Sequence, residues 1–123
     1  MEFSNGRIKF NRGDDDALMV ALSDGSTFKD GDKVFFSLKT EPSDTDDILQ
    51  IESEDRVPYN GVANAAMLVS ITHEDTIEID LGKYYYDIYV EWSDGTFRTV
   101  VEPIRFTLAP GGSHDEDETG DGA

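Results

Sequence analysis

Apolar residues recur at every second position through much of the chain, and no long window carries the 3.6-residue spacing of an amphipathic helix. Such alternation predicts strands with one face buried and one face wet. Ile8 and Phe10 alternate with charged neighbours. Leu18, Val20 and Leu22 then share one face of a strand closing at Ser23-Asp24-Gly25-Ser26, whose composition predicts a first hairpin or corner. After Asp30-Gly31-Asp32, Val34, Phe36 and Leu38 point one way and Lys33, Ser37 and Lys39 the other. Phe35 interrupts that pattern and is expected to cover an edge.

The stretch from Glu41 to Asn64 reads differently, with two prolines, many acids and few apolar residues beyond Ile48, Leu49, Ile51 and Val57. It predicts a loop containing one short strand. Alternation resumes with Ala65, Met67, Val69 and Ile71, and Thr72-His73-Glu74-Asp75 is a capping sequence for a single helical turn ahead of Ile77, Ile79 and Leu81. That turn is expected to cross between two sheets. A tyrosine-rich strand follows, then the turn Ser93-Asp94-Gly95-Thr96, a partner strand through Val101, Pro103 as a strand breaker, and a last strand with Ile104, Phe106 and Leu108 inward. The pattern adds up to an all-β sandwich of about seven or eight strands over residues 1–110, with a flexible acidic tail over 111–123.

Four tyrosines and a tryptophan fall between Lys83 and Ser93. With period 2, Tyr84, Tyr86, Ile88, Val90 and Trp92 share the core face, where aromatic and β-branched residues suit a pleated, half-buried surface. Tyr85, Asp87, Tyr89 and Glu91 share the outer face. Tyr85 and Tyr89 are therefore the candidate interface residues, placed to stack a sugar or meet a neighbouring subunit. The approach Asp80-Leu81-Gly82-Lys83-Tyr84 resembles the corner of immunoglobulin-like sandwiches, where a tyrosine packs back on the preceding crossover.

Charge narrows the partners. Across 123 residues, 27 acids against 10 bases give a formal charge of −17, which disfavours binding a nucleic-acid backbone. Five of those acids lie beyond His114, so the body keeps 22 acids and 10 bases, a charge of −12. The excess suits either a well-solvated surface or one shaped to meet a basic partner. With no cysteine, neither disulfides nor thiolate metal sites can form, and the fold must rest on its apolar core. No secretory signal pattern and no membrane-length apolar run is found, so the expectation is synthesis in the cytoplasm without membrane insertion.

Chemical motifs are sparse. Asp115 to Gly120 matches the first half of a calcium loop, without the twelfth-position glutamate. Asp14, Asp15 and Asp16, with Asp44, Asp46 and Asp47, would offer oxygen ligands only if the fold united them. His73-Glu74-Asp75 has acid-base groups but no nucleophile in an elbow motif, so a cap is the expected role. Arg12-Gly13-Asp14 spells an integrin tripeptide that is common by chance and is discarded, and Gly111-Gly112 is read as a flexible join. No catalytic residue, metal or cofactor is assigned.

The segments GDDDALMVALSDGS, GDKVFFSL and ITHEDTIEIDLGKYYYDIYVEWSDGTFRTVVEPIRFTL together resemble short β-sandwich structural proteins of tailed phages and prophages, similar to the N-terminal domain of phage upper baseplate proteins. The likeness spans roughly residues 6–109, with Gly82 to Ile88 as its most specific motif. It departs at Asp80-Leu81, where that family usually carries Leu-Pro. The resemblance implies a non-enzymatic structural component of the virion that docks on other virion proteins, with homo-oligomerisation open. Two other classes stand beside it: an acidic inhibitor or DNA mimic directed at a host nucleic-acid-binding protein, and a carbohydrate-binding sandwich using Tyr85 and Tyr89.

Overall fold

Alternating strands bury their apolar faces only by pairing into sheets that pack on one another, and the chain does this with nine strands among the described residues. A computed structural model describes residues 1–111. The strands are β1 (Glu2–Ser4), β2 (Arg7–Asn11), β3 (Asp16–Ala21), β4 (Lys33–Lys39), β5 (Leu49–Ser53), β6 (Arg56–Tyr59), β7 (Val62–Ile71), β8 (Gly82–Glu91) and β9 (Phe97–Ala109), with one helical turn, α1 (His73–Thr76). A six-stranded sheet runs β1-β2-β9-β8-β4-β5 and a three-stranded sheet runs β3-β7-β6. Every neighbouring pair is antiparallel except β2 with β9, which is parallel. The expectations for the chain from residue 112 onward, the half calcium loop included, fall outside the described residues.

One core fills the space between the sheets. The large sheet supplies Ile8, Phe10, Val34, Phe36, Leu38, Tyr86, Ile88, Val90, Phe106 and Leu108; the small sheet supplies Val20, Met67, Val69 and Ile71. Phe36 stacks on Tyr86 with ring centres 5.4 Å apart and meets Phe106 edge-on at 6.0 Å. Two residues expected in this core, Tyr84 and Trp92, are only half-buried. They sit near the start of β8 and just past its end, where Trp92 is partly covered by Phe28, stacked at 6.1 Å. Their inward direction was read correctly; its extent was not.

The turn after Leu22 is a corner, one of the two forms expected, because β3 and β4 lie in different sheets. Two other stretches differ from the sequence reading. The span 41–64 holds two strands, β5 and β6, and the start of β7, not one short strand. The chain changes sheets at Ser53, which occupies an inward position yet is satisfied there: its hydroxyl donates to the Leu68 carbonyl at 2.6 Å and accepts the Asp55 N–H. Pro103 does not end a strand. It lies inside β9 between Val101 and Ile104, whose partners Ile88 and Tyr86 are one residue closer together, so it occupies a bulge. On the other side β2 pairs only with Phe106 to Ala109, so no ladder bond is lost at Pro103.

The predicted helical turn does carry the chain from β7 to β8, in the other sheet. The Asp75 carboxylate accepts the Thr72 N–H at 2.7 Å and the Thr72 hydroxyl at 3.1 Å. At the other end of the molecule the buried Asp32 accepts the N–H groups of Lys29 (2.7 Å) and Ser93 (2.8 Å), tying the β3–β4 corner to the β8–β9 turn. Gly31 permits this approach: its φ is +94°, and a Cβ there would stand 3.0 Å from the Ser93 side chain.

Candidate interaction face on the six-stranded sheet

Because Tyr86, Ile88 and Val90 point inward, β8 turns Tyr85, Asp87, Tyr89 and Glu91 outward from the middle of the large sheet. The two tyrosines sit in different surroundings. Tyr89 stacks on Phe35 of β4 with ring centres 4.8 Å apart and 14° between planes, and meets Phe97 of β9 at 6.0 Å. Its hydroxyl accepts the Gln50 side-chain N–H at 3.3 Å. Phe35 therefore joins an outer aromatic cluster instead of covering an edge, and Phe97 remains 63% exposed at that cluster's rim. An open polar cleft of about 350 Å³ lies alongside, with Tyr89, Ser37, Thr45, Asp47 and Thr99 in its walls.

Asp87 separates the two tyrosines and pairs with Lys39 at 3.0 Å, the two side chains only 13% and 17% exposed. The hydrogen bond to Asp87 raises the pKa of the Lys39 ammonium above the usual lysine value. Beyond it, the Arg105 guanidinium lies over the Tyr85 ring, 5.5 Å from its centre. Both Tyr85 and Arg105 line a second open cleft of about 490 Å³ with Asn5, Arg7, Pro103 and Ile104. The Arg105 Nε is buried there without a hydrogen-bond partner.

Tyr85 and Tyr89 are thus outward as predicted, but each is half-buried and partnered, and they belong to separate clefts. Phe35, Phe97, Arg7 and Arg105 complete the face and were not anticipated, since their meeting depends on strand order. Period 2 within β9 would have put Phe97 and Thr99 on one face; it could not say that this face adjoins Tyr89.

The other candidates take structural roles. His73 Nδ1 bonds the Gly13 carbonyl at 2.6 Å, while the His73 N–H donates to Asp15 and the Gly13 N–H to the Thr76 hydroxyl. These contacts dock α1 on the β2–β3 turn and place Gly13 of the Arg12-Gly13-Asp14 tripeptide in a buried position. Asp16 bonds the Ala17 N–H and pairs with the amino terminus, Asp44 accepts the Glu41 N–H, and Asp47 accepts from Gln50. Among the described residues no group of three or more His, Cys, Asp or Glu side chains could hold a metal ion, and no helix is long and apolar enough to cross a membrane. No protein-family model and no curated protein matches the chain.

Proposed function

We propose that this chain is a non-enzymatic structural module of a tailed-phage virion, working by docking on neighbouring virion proteins through the outer face of its six-stranded sheet. The observation that carries the docking reading is the composition of that face. Tyr85 under Arg105, and Tyr89 between Phe35 and the exposed Phe97, are the aromatic and arginine anchors that protein interfaces favour. The virion assignment rests on the sequence resemblance. An immunoglobulin-like reading of the sandwich is supported by the strand order: β3-β7-β6 corresponds to strands B, E and D, and β9-β8-β4-β5 to G, F, C and C′. The Tyr84 hydroxyl, which donates to the Asp80 carbonyl at 2.6 Å, has the geometry of that fold's tyrosine corner.

Purified particles should contain the wild-type chain by mass spectrometry, and a Tyr85→Ser/Tyr89→Ser variant that keeps its β-type circular dichroism should be incorporated poorly. Absence of the wild-type chain from particles would defeat the virion reading. The cleft beside Tyr89 favours the carbohydrate reading as an alternative, through its aromatic wall and its mixture of donors and acceptors. Binding of a neutral sugar that perturbs Tyr89 and Thr99 resonances would promote it.

A further inference from the structure

Half of the chain's ten basic residues fall in one small area of the outer face. Ile8 and Phe106 are paired across β2 and β9 and both point inward, so Arg7 and Arg105, each one residue earlier, stand side by side pointing outward. Arg105 is in turn paired with Tyr85, and Tyr85 with Lys39, so one transverse row reads Arg7, Arg105, Tyr85, Lys39 across four strands. The next row reads Lys9, Thr107, Lys83. Neighbouring strands lie about 4.8 Å apart and alternate residues about 6.7 Å apart along each strand, so the cations form a continuous patch.

Lys39 is neutralised by Asp87, but Arg7, Lys9, Lys83 and Arg105 form no ion pair among the described residues; the acid nearest in register is Glu2, opposite Lys9 on β1. In a chain of charge −17, four such cations together call for an explanation. A long polyanion fits poorly, because it would extend over the acidic remainder of the surface. A local acidic segment fits better, since screening confines its interaction to about 8 Å at physiological salt. Tyr85, Arg105, Arg7 and Ile104 have the composition of a protein-binding hot spot, which favours a polypeptide partner.

An acidic segment of this kind lies on the same molecule. The β4–β5 connection carries Glu41, Asp44, Asp46 and Asp47 and begins directly after Lys39, at the level of the arginine row but beside the opposite edge strand, β5. The sheet thus has a cationic patch toward its β2 side and an acidic loop on its β5 side. We infer that the chain self-associates head to tail, the Glu41–Asp47 loop of one copy docking on the Arg7/Lys9/Lys83/Arg105 patch of the next. Made in one direction only, the contact is heterologous and repeats into a ring or a row. It names a partner within the docking reading above, on which it rests.

Sedimentation velocity of the full chain at physiological and high salt tests it. Wild-type protein should form concentration-dependent oligomers at physiological salt, where repulsion between the acidic remainders is screened, and dissociate as salt rises further. Two variants should each be folded by circular dichroism and at least about tenfold weaker in association: Arg7→Glu/Arg105→Glu, and Glu41→Lys/Asp46→Lys, which leaves Asp44 and Asp47 in their loop contacts. An equimolar mixture of the two should associate again, because the loop of the first still fits the patch of the second. A monomeric wild-type chain at both salts, variants that associate as the wild type does, or a mixture that stays monomeric would each overturn the inference. So would saturable binding of glucuronate at Tyr85 and Arg105 by a chain that remains monomeric, which would give the patch to a small carboxylate. If a chain that is monomeric in solution is nevertheless found in purified particles, the head-to-tail contact fails while the virion reading stands.

Discussion

Tyr84 donates its hydroxyl to the carbonyl of Asp80, closing the crossover onto the start of β8. Tyr84→Phe removes that bond and little else, so it should cost about 0.5–1.5 kcal/mol in urea unfolding; no loss would show that water replaces the contact fully. Phe36 is fully buried among Tyr86 and Phe106, and Phe36→Ala should cost about 3–5 kcal/mol. Trp92→Ala should cost less than Phe36→Ala, because Trp92 is only partly buried whereas Phe36 is fully buried. The same denaturation series checks both, and a reversed order would mean that Trp92 carries the core. At this scale the sequence told direction better than depth. Alternation put Tyr84 and Trp92 on the inward face, but whether an opposing strand covers them depends on where the second sheet lies.

Two Asn-Gly pairs set the hairpins. Asn5-Gly6 joins β1 to β2 and Asn60-Gly61 joins β6 to β7, all four residues at positive φ as a two-residue type I′ turn requires. That signal was present in the sequence, and reading it would have placed the β6–β7 hairpin within the 41–64 stretch. A Cβ on Gly61 would touch nothing, so Gly61→Ala isolates the cost of its φ of +78°. The expected loss is about 1–2 kcal/mol by thermal or chemical unfolding, and an unchanged stability would mean that the turn relaxes to another type. The β5-to-β6 switch was harder to see, because its inward position is Ser53, whose fit depends on a carbonyl 15 residues away. Pro103 misled for a related reason: proline ends a strand that needs its N–H, and this position needs none.

The molecule as a whole carries more negative charge than its folded surface can pair, so at pH 7 added salt should raise the unfolding temperature by screening repulsion. A flat or falling response would show the acids already compensated. Acid should act in the opposite sense at its own threshold. Asp16 is held below the ordinary 3.8 by the Ala17 N–H and the amino terminus, Asp24 by the Ser26 N–H, and Asp94 by Thr96. A carboxyl lowered on folding favours the folded state above its unfolded value, and that contribution is lost as pH falls through the lowered one. Melting temperature should therefore decline below pH 3.8, and Asp94→Asn should reduce that decline. Lys39, raised by Asp87, behaves conversely: its contribution is complete at neutral pH and is lost only as pH climbs past the ordinary 10.5.

Local pattern alone determined that this chain makes strands, which side of each faces inward, that a capped turn precedes the tyrosine strand, and that Tyr85 and Tyr89 face outward, because side-chain direction in a strand follows from period 2 and capping from residues three apart. Tertiary structure alone decided which strands are neighbours. Pairing is a long-range choice in which many alternating segments are locally equivalent, so the parallel β2–β9 ladder that sets Arg7 beside Arg105, and the β4–β8–β9 order that gathers Phe35, Tyr89 and Phe97, could not be read from any one stretch. The separation of a cationic patch from an acidic loop exists only once those neighbours are fixed. Net charge is a property of composition; its distribution over a surface is a property of the fold.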